Sequence, residues 1–318
     1  MSADPLSWIF AQLVRARNAR YDSGSAPVSR LRLPVISVGN LSVGGSGKTP
    51  FVQTLGRRLR AQGIGYDVLS RGYRRRSRGV LRVDPAGPAS LYGDEPLLLA
   101  RSLEAPVFVG EDRFLAGLAA EAWARSPQVA QQGPAARLHI LDDGFQHRQL
   151  HRDFDIVLLA PGDLRAGLLP FGRLREPLSS LDRADAVAAP EDLAPLLVEP
   201  NVWHLRRHLV LERPAPSRPL AFCGLAQPKQ FWQSLAEIGI QPVATYAFGD
   251  HHRYTARDIA LLKRLARQHE ANGFVTTEKD LVKLDANELG EVCAPRLAIE
   301  VADADAKFRS MLEAVGLR

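Results

Sequence analysis

The chain has 318 residues, 46% of them hydrophobic and 24% charged, and a formal net charge of +6. That length supports two domains with cores of their own, and the basic balance favours anionic partners such as nucleotides, nucleic acid or an acidic membrane face. The two cysteines, Cys223 and Cys293, lack metal-ligand spacing and cannot form a disulfide framework, and no apolar run reaches the about 18 residues of a membrane span, so a globular protein of a reducing cytoplasm is expected.

Residues 5–21 open the ordered pattern. Leu6, Ile9, Phe10, Leu13 and Val14 recur at helical spacing, Trp8 flanks them, and Arg15, Arg17 and Arg20 follow. Such a helix suits a membrane interface or packing on its own domain, and the pattern does not choose between them.

Val35 to Val38 reads as a buried strand. It runs into Gly39-Asn40-Leu41-Ser42-Val43-Gly44-Gly45-Ser46-Gly47-Lys48-Thr49-Pro50 and then a helix from Thr49 to Arg60. This is the layout of a phosphate-binding P-loop. Glycines let successive N–H groups face one anion, and the helix N-terminus adds partial positive charge. Gly44, Gly45, Ser46, Gly47, Lys48 and Thr49 are therefore the candidate nucleotide site, with Lys48 on the β- and γ-phosphates and the Thr49 hydroxyl on Mg²⁺. The strict pattern wants glycine where Ser42 stands.

Tyr66 to Ser70 is the next parallel strand. Arg71-Gly72-Tyr73-Arg74-Arg75-Arg76-Ser77-Arg78 follows, five arginines in eight residues. Such runs are usually solvated, but this one leaves a strand end in a nucleotide-binding layout, which favours contact with phosphate groups of substrate or lipid. Asp94 precedes a helical run from Leu97 to Leu103, where it could serve as an N-cap. Pro106 to Val109 is a strand and Arg113 to Arg125 an amphipathic helix. Leu138 to Leu141 is a buried strand ending in Asp142-Asp143. Aspartate at a strand end downstream of a P-loop is where a carboxylate holds Mg²⁺, directly or through water.

Ile156 to Leu159 and Ala186 to Ala189 are further strands, and Gly167 to Glu176 looks like a site loop. Residues 213–219, with three prolines, form the best linker. A second series follows: strands at 220–223, 243–247, 274–276 and 297–301, and helices at 228–238, 256–269, 281–284 and 306–315. Strands alternating with helices predict a mostly parallel sheet in each of two α/β units, residues 1–212 and 213–318.

Six stretches together resemble the tetraacyldisaccharide 4′-kinase family of the lipid A pathway in Gram-negative bacteria. They are Val38 to Pro50, Ser70-Arg71-Gly72-Tyr73, Gly93-Asp94-Glu95-Pro96, Asp142-Asp143-Gly144-Phe145-Gln146-His147, Phe248-Gly249-Asp250-His251-His252 and Thr276-Thr277-Glu278-Lys279-Asp280. The resemblance implies an α/β fold: a P-loop α/β/α sandwich with a mostly parallel sheet, plus a second, smaller α/β/α domain joined by a two-stranded linker. It implies transfer of the γ-phosphate of ATP, with Mg²⁺, to the 4′-hydroxyl of tetraacyldisaccharide 1-phosphate. It places the enzyme peripherally at the cytoplasmic face of the inner membrane, without nucleic acid and with no obligate protein partner.

Carried over by position, Asp94 and His251 match a catalytic pair beside Lys48, the Phe-x-Asp-His order favouring His251 over His252. Thr49, Asp142, Asp143 and Glu176 match the metal-proximal groups, and Asn40, Arg71, Gln146 and His147 the substrate contacts. The residue chemistry agrees: a sugar hydroxyl needs a base within reach, and the transferring phosphoryl group needs cations. Asp94 and His251 fall in different units, so closure would assemble the site. Two other classes compete, a P-loop GTPase or metallochaperone and a non-catalytic nucleotide-regulated binding module. The first lacks an Asn-Lys-x-Asp motif and a cysteine relay; the second predicts that Asp94 tolerates substitution.

Overall fold

The computed structural model describes residues 5–126, 135–197, 201–285 and 288–317. The chain begins with α1 (Pro5–Asp22), then β1 (Val35–Asn40), α2 (Lys48–Ala61), β2 (Gly65–Ser70), β3 (Leu81–Arg82), α3 (Ala89–Tyr92), α4 (Asp94–Ser102), β4 (Val107–Val109) and α5 (Arg113–Ala124). It continues through β5 (Ala136–Asp142), β6 (Phe154–Leu158), β7 (Ala186–Pro190) and β8 (Val202–Val210). These strands build a sheet in the order β8-β7-β6-β1-β5-β2-β4-β3, parallel except for β3. Both faces of its central strands are covered, so β1 and β2 are buried at every position and read as continuous runs.

One face packs α2 and α4 through Phe51, Leu55, Leu97 and Leu99. The other packs α5 through Ala116 and Ala120 against Leu69 and Leu141. Between β1 and its neighbours β5 and β6 the chain reverses its direction of travel across the sheet. The carboxyl ends of these strands form the crevice where an open parallel sheet takes its ligand.

The second unit comprises β9 (Pro219–Cys223), α6 (Pro228–Glu237), β10 (Ala244–Ala247), α7 (Ala256–Gln268), β11 (Gly273–Val275), α8 (Glu278–Leu281) and β12 (Val292–Cys293). Its four-stranded sheet, β10-β9-β11-β12, is wholly parallel. α6 covers one face through Phe231 and Leu235, and α7 the other through Ile259 and Leu262. The helix expected at 281–284 begins earlier, because the Thr277 side chain accepts the Asp280 N–H and starts the turn there.

The structure departs from the expected 213–318 unit. β13 (Arg296–Val301) and α9 (Ala304–Ala314) follow β12, and β13 pairs antiparallel with β8 at the edge of the large sheet. Phe308, Met311 and Leu312 of α9 enter the core of the first unit, where Phe308 meets the ring of Trp203 edge-on at 5.3 Å. The chain thus crosses to the second unit along β8 and returns along β13. The implied two-stranded linker is the outer edge of the large sheet, continuous with its ladder.

α1 also resolves its two readings unevenly. Val14 is buried and Phe10 half-buried, whereas Leu6, Trp8, Ile9 and Leu13 are exposed at 55%, 58%, 48% and 65%. No helix among the described residues is long and apolar enough to cross a membrane.

Candidate active site

The P-loop leaves β1 at Asn40, whose amide is fully buried. Its Nδ2 donates to the Ser42 carbonyl at 2.6 Å, and its Oδ1 accepts from Lys48 Nζ at 3.0 Å. Gly44 and Gly47 carry the left-handed turns, at φ 101° and 88°. Ser42 has no positive φ and lies in a bridge with Leu174, so the backbone there needs no glycine. Its hydroxyl donates to the buried Asp163 at 3.0 Å, which fixes the start of the loop. Arg207 of β8 donates to the Ser46 carbonyl from outside. Thr49 is buried in the first turn of α2.

β5 lies beside β1 with Asp142 opposite Val38, which sets the aspartates against the loop. Gly39 permits this approach, since a Cβ there would lie 2.5 Å from Phe145 Cβ. Asp142 is 2% exposed; its Oδ2 accepts from Ser70 Oγ at 2.9 Å and its Oδ1 has no partner. Burial, with the Glu95 and Asp143 charges, pushes its carboxyl up to about 7. A buried carboxylate oxygen without a donor suits a divalent cation.

Asp143 turns out of the strand at φ 54°, and this aims its side chain elsewhere. It meets Lys48 at 3.3 Å and Arg175 at 3.1 Å. Burial raises its carboxyl, but these two cations outweigh that and hold it low. Gln146 Nε2 donates to the Asn40 carbonyl at 2.9 Å. His147 Nε2 is buried without a partner; desolvation, then the Arg113 guanidinium, push the imidazole down to about 4. Arg71 stands exposed after β2.

Glu176 follows Arg175 in the site loop. It is 1% exposed, and its Oε2 accepts from Arg183 at 2.6 Å and from Asn18 of α1 at 2.8 Å. Among the described residues no three His, Cys, Asp or Glu side chains are placed to share a metal ion. Arg183 matches the Glu176 charge, and the side chain pins α1 to the segment 178–183, while its Oε1 is buried without a partner, like Asp142 Oδ1. Thr49, Asp142 and Asp143 at the P-loop fit Mg²⁺.

The second unit reaches the crevice at two points. His251 Nδ1 lies 3.3 Å from Asp94 Oδ2. His252 turns away, with Nε2 3.1 Å from Asp258 and its ring stacked on Phe248. Lys279 Nζ donates to Glu95 Oε1 at 2.6 Å, and this ammonium holds the Glu95 carboxyl low. His251 itself has φ 55°, a conformation that costs a non-glycine residue about 1 kcal/mol or more and persists where its surroundings over-determine it. Tyr73 from the arginine-rich loop sets its ring edge-on to His251 at 6.2 Å.

Sequence reasoning assigned no role to Glu95, Lys279, Arg113, Arg175 or Arg207. Glu95 and Lys279 stand inside motifs already singled out. Arg175 lies next to Glu176 in the site loop. Arg113 looked like an ordinary first residue of a helix, yet it is 7% exposed and donates to the Glu111 carbonyl. Arg207 carried no signal at all within an alternating strand.

The tetraacyldisaccharide-1-P 4′-kinase family matches residues 2–316. The chain belongs to this family. The tetraacyldisaccharide 4′-kinase of Koribacter versatilis is 45% identical over 329 residues, covering 99% of each chain. That of Aquifex aeolicus is 38% identical, covering 89% of this chain and 90% of the relative. A solved Aquifex aeolicus LpxK structure, described as an "apo" form in complex with ATP, superposes with a TM-score of 0.80 at 34% identity, covering 98% of this chain and 97% of that one.

Proposed function

We propose that this protein transfers the γ-phosphate of ATP to the 4′-hydroxyl of tetraacyldisaccharide 1-phosphate, the reaction its family and relatives are named for. The observation that carries the residue assignment is the Asp94–His251 contact at the mouth of a P-loop whose lysine is already aligned. His251 Nδ1–H donates to the Asp94 carboxylate and orients it. Asp94 accepts the 4′-hydroxyl proton as that oxygen bonds to the γ-phosphorus and the bond to the β–γ bridging oxygen breaks, releasing ADP. Lys48 neutralises charge on the transferring group, and Asn40 and Asp143 keep its ammonium on line. Mg²⁺, when bound by Asp142 with Thr49 and Asp143, supplies further charge neutralisation at the phosphates. Arg71, Gln146 and His147 remain for the acceptor side, whereas Asn40, expected as a substrate contact, is fully buried and bonded to Ser42 and Lys48, and so positions the lysine instead.

The lipid acceptor also gives a use to the exposed side of α1. Ile9 and Leu13 stand out from the surface, and Ser7 Oγ donates at 3.3 Å to the Leu168 carbonyl of the loop that carries Phe171, itself 69% exposed. Apolar side chains of this kind, with Arg15 and Arg20 exposed nearby, suit peripheral contact with an anionic leaflet at the cytoplasmic face of the inner membrane. Incubation with γ-labelled ATP, Mg²⁺ and tetraacyldisaccharide 1-phosphate in detergent, followed by chromatography of the lipid, tests the activity. Label on the lipid is expected; label recovered only as inorganic phosphate rejects a kinase.

A further inference from the structure

The run Thr276-Thr277-Glu278-Lys279-Asp280 has so far no task in the reaction, yet it contacts the second sheet, the returning strand β13 and α4. Thr276 anchors it in the second sheet: its Oγ1 donates to the Phe222 carbonyl of β9 at 2.8 Å, and its N–H to the Cys293 carbonyl of β12 at 3.0 Å. Asp280, fully buried, accepts the Gly224 N–H at 2.9 Å and the Thr277 hydroxyl at 2.7 Å. The Gly224 carbonyl in turn accepts the His251 N–H at 3.3 Å. Asp280 thereby supports the turn that carries His251. Glu278 accepts the Leu297 N–H of β13 at 3.3 Å, which ties the run to the returning edge strand. Lys279 crosses to α4 and pairs with Glu95, the residue after Asp94.

We infer that Lys279 is a positioning residue for phosphoryl transfer: its ion pair with Glu95 docks α8 on α4 and thereby sets the distance between Asp94 and His251. Geometry supports a joint rather than a casual surface pair. Lys279 and Glu95 are adjacent in sequence to residues on the two sides of the contact, Asp280 behind the His251 turn and Asp94 on α4. A shift of α8 along α4 therefore moves His251 relative to Asp94 directly. The Asp94–His251 contact is long, at 3.3 Å, so it constrains the approach of the two units loosely by itself. The Glu95–Lys279 pair is shorter, at 2.6 Å. A displacement of about 1 Å in such a pair is enough to cost on the order of 100-fold in rate.

This inference rests on Asp94 and His251 acting as a pair, and the experiment separates the two. Turnover is measured for Asp94→Asn and His251→Ala in the natural background and in Lys279→Met. If Asp94→Asn and His251→Ala are fully active in the natural background, the pairing itself fails. If they lose activity, Lys279→Met is expected to lower kcat roughly 10- to 100-fold with little change in the KM for ATP. In its background His251→Ala should then cost no more than about threefold, because the imidazole is already out of register. Lys279→Arg, which keeps the pair, should recover most of the loss. Nucleotide binding by Lys279→Met, measured by titration, reports that the variant folds. The imidazole proton resonances of His251, assigned by difference from His251→Ala, should move in Lys279→Met and stay in Lys279→Arg. Full turnover in Lys279→Met, or an undiminished His251→Ala penalty with unmoved resonances, overturns the inference.

Discussion

The two halves of the crevice are built differently. On the P-loop side the groups come from strand ends of one sheet, the start of α2 and the 167–176 loop, and the charges are matched in place: Lys48 lies between Asn40 and Asp143, and Arg175 backs Asp143. On the other side His251 and Lys279 arrive from a second sheet and meet α4 through two polar contacts, one of them long. The first half is a preorganised electrostatic frame. The second depends on how two units dock, so small displacements act on it first.

The largest expected effect tests the preorganised half. Lys48→Met removes the cation aligned by Asn40 and Asp143, and turnover should fall by at least ~100-fold. Nucleotide binding should weaken far less, because the loop backbone is held independently by Ser42–Asp163 and by Arg207. Near-normal turnover in this variant would show that the frame is not the phosphate site.

The two aspartates should then separate by role. Asp142 has a free buried oxygen, whereas both oxygens of Asp143 face cations. Asp142→Asn is expected to raise the Mg²⁺ concentration needed for half-maximal rate by about tenfold. Asp143→Asn should mainly lower kcat, because it unbalances Lys48 and Arg175. A Mg²⁺ titration unchanged in Asp142→Asn, with the shift appearing in Asp143→Asn alone, reverses the assignment.

A smaller effect belongs to the outer surface of α1. Deleting the helix would also remove Asn18 and Arg17, which hold Glu176 and the Gln146 carbonyl, so point changes are cleaner. Ile9→Ser with Leu13→Ser should raise the KM for lipid presented in anionic vesicles by several-fold. The KM for ATP and the thermal midpoint should stay as they were. Unchanged vesicle sedimentation would move the membrane contact elsewhere.

The same division explains what could be read from the sequence. The P-loop and the Asp142-Asp143 pair are short patterns at strand ends, where local geometry dictates position, and both lie in the crevice. Ser42 departs from the strict pattern without harm, because that pattern assumes a glycine conformation that this backbone does not adopt. The Arg183 partner of Glu176 was not legible, because a carboxylate in a featureless loop looks alike whatever cation faces it. The return of β13 and α9 to the first unit had no local signature: antiparallel pairing of Arg296 with Val210 joins positions far apart in the chain. For α1 the helical spacing was correct, but the apolar stripe is wide enough to be shared, with Val14 inward and Leu13 outward.

His147 gives the smallest effect and bears on whether the preorganised half is dry. Its imidazole is pushed from 6.5 to about 4, first by desolvation and then by Arg113, with Arg152 and Arg17 adding to it. Above pH 6.5 the ring is neutral folded or unfolded, and it adds no pH dependence. Between that value and about 4 the unfolded chain binds a proton that the folded one refuses, so the folded state loses stability as the pH falls. Below about 4 both forms are protonated and the loss stops growing. The ring is partly exposed, so solvent screening reduces the effect to about 1 kcal/mol. Denaturant unfolding of the natural protein and of His147→Gln at pH 7.5 and pH 4.5 should show the variant losing less on acidification by that amount. Equal losses would mean that water and a proton reach the ring in the folded state, and that the floor of the crevice beneath Gln146 is wet.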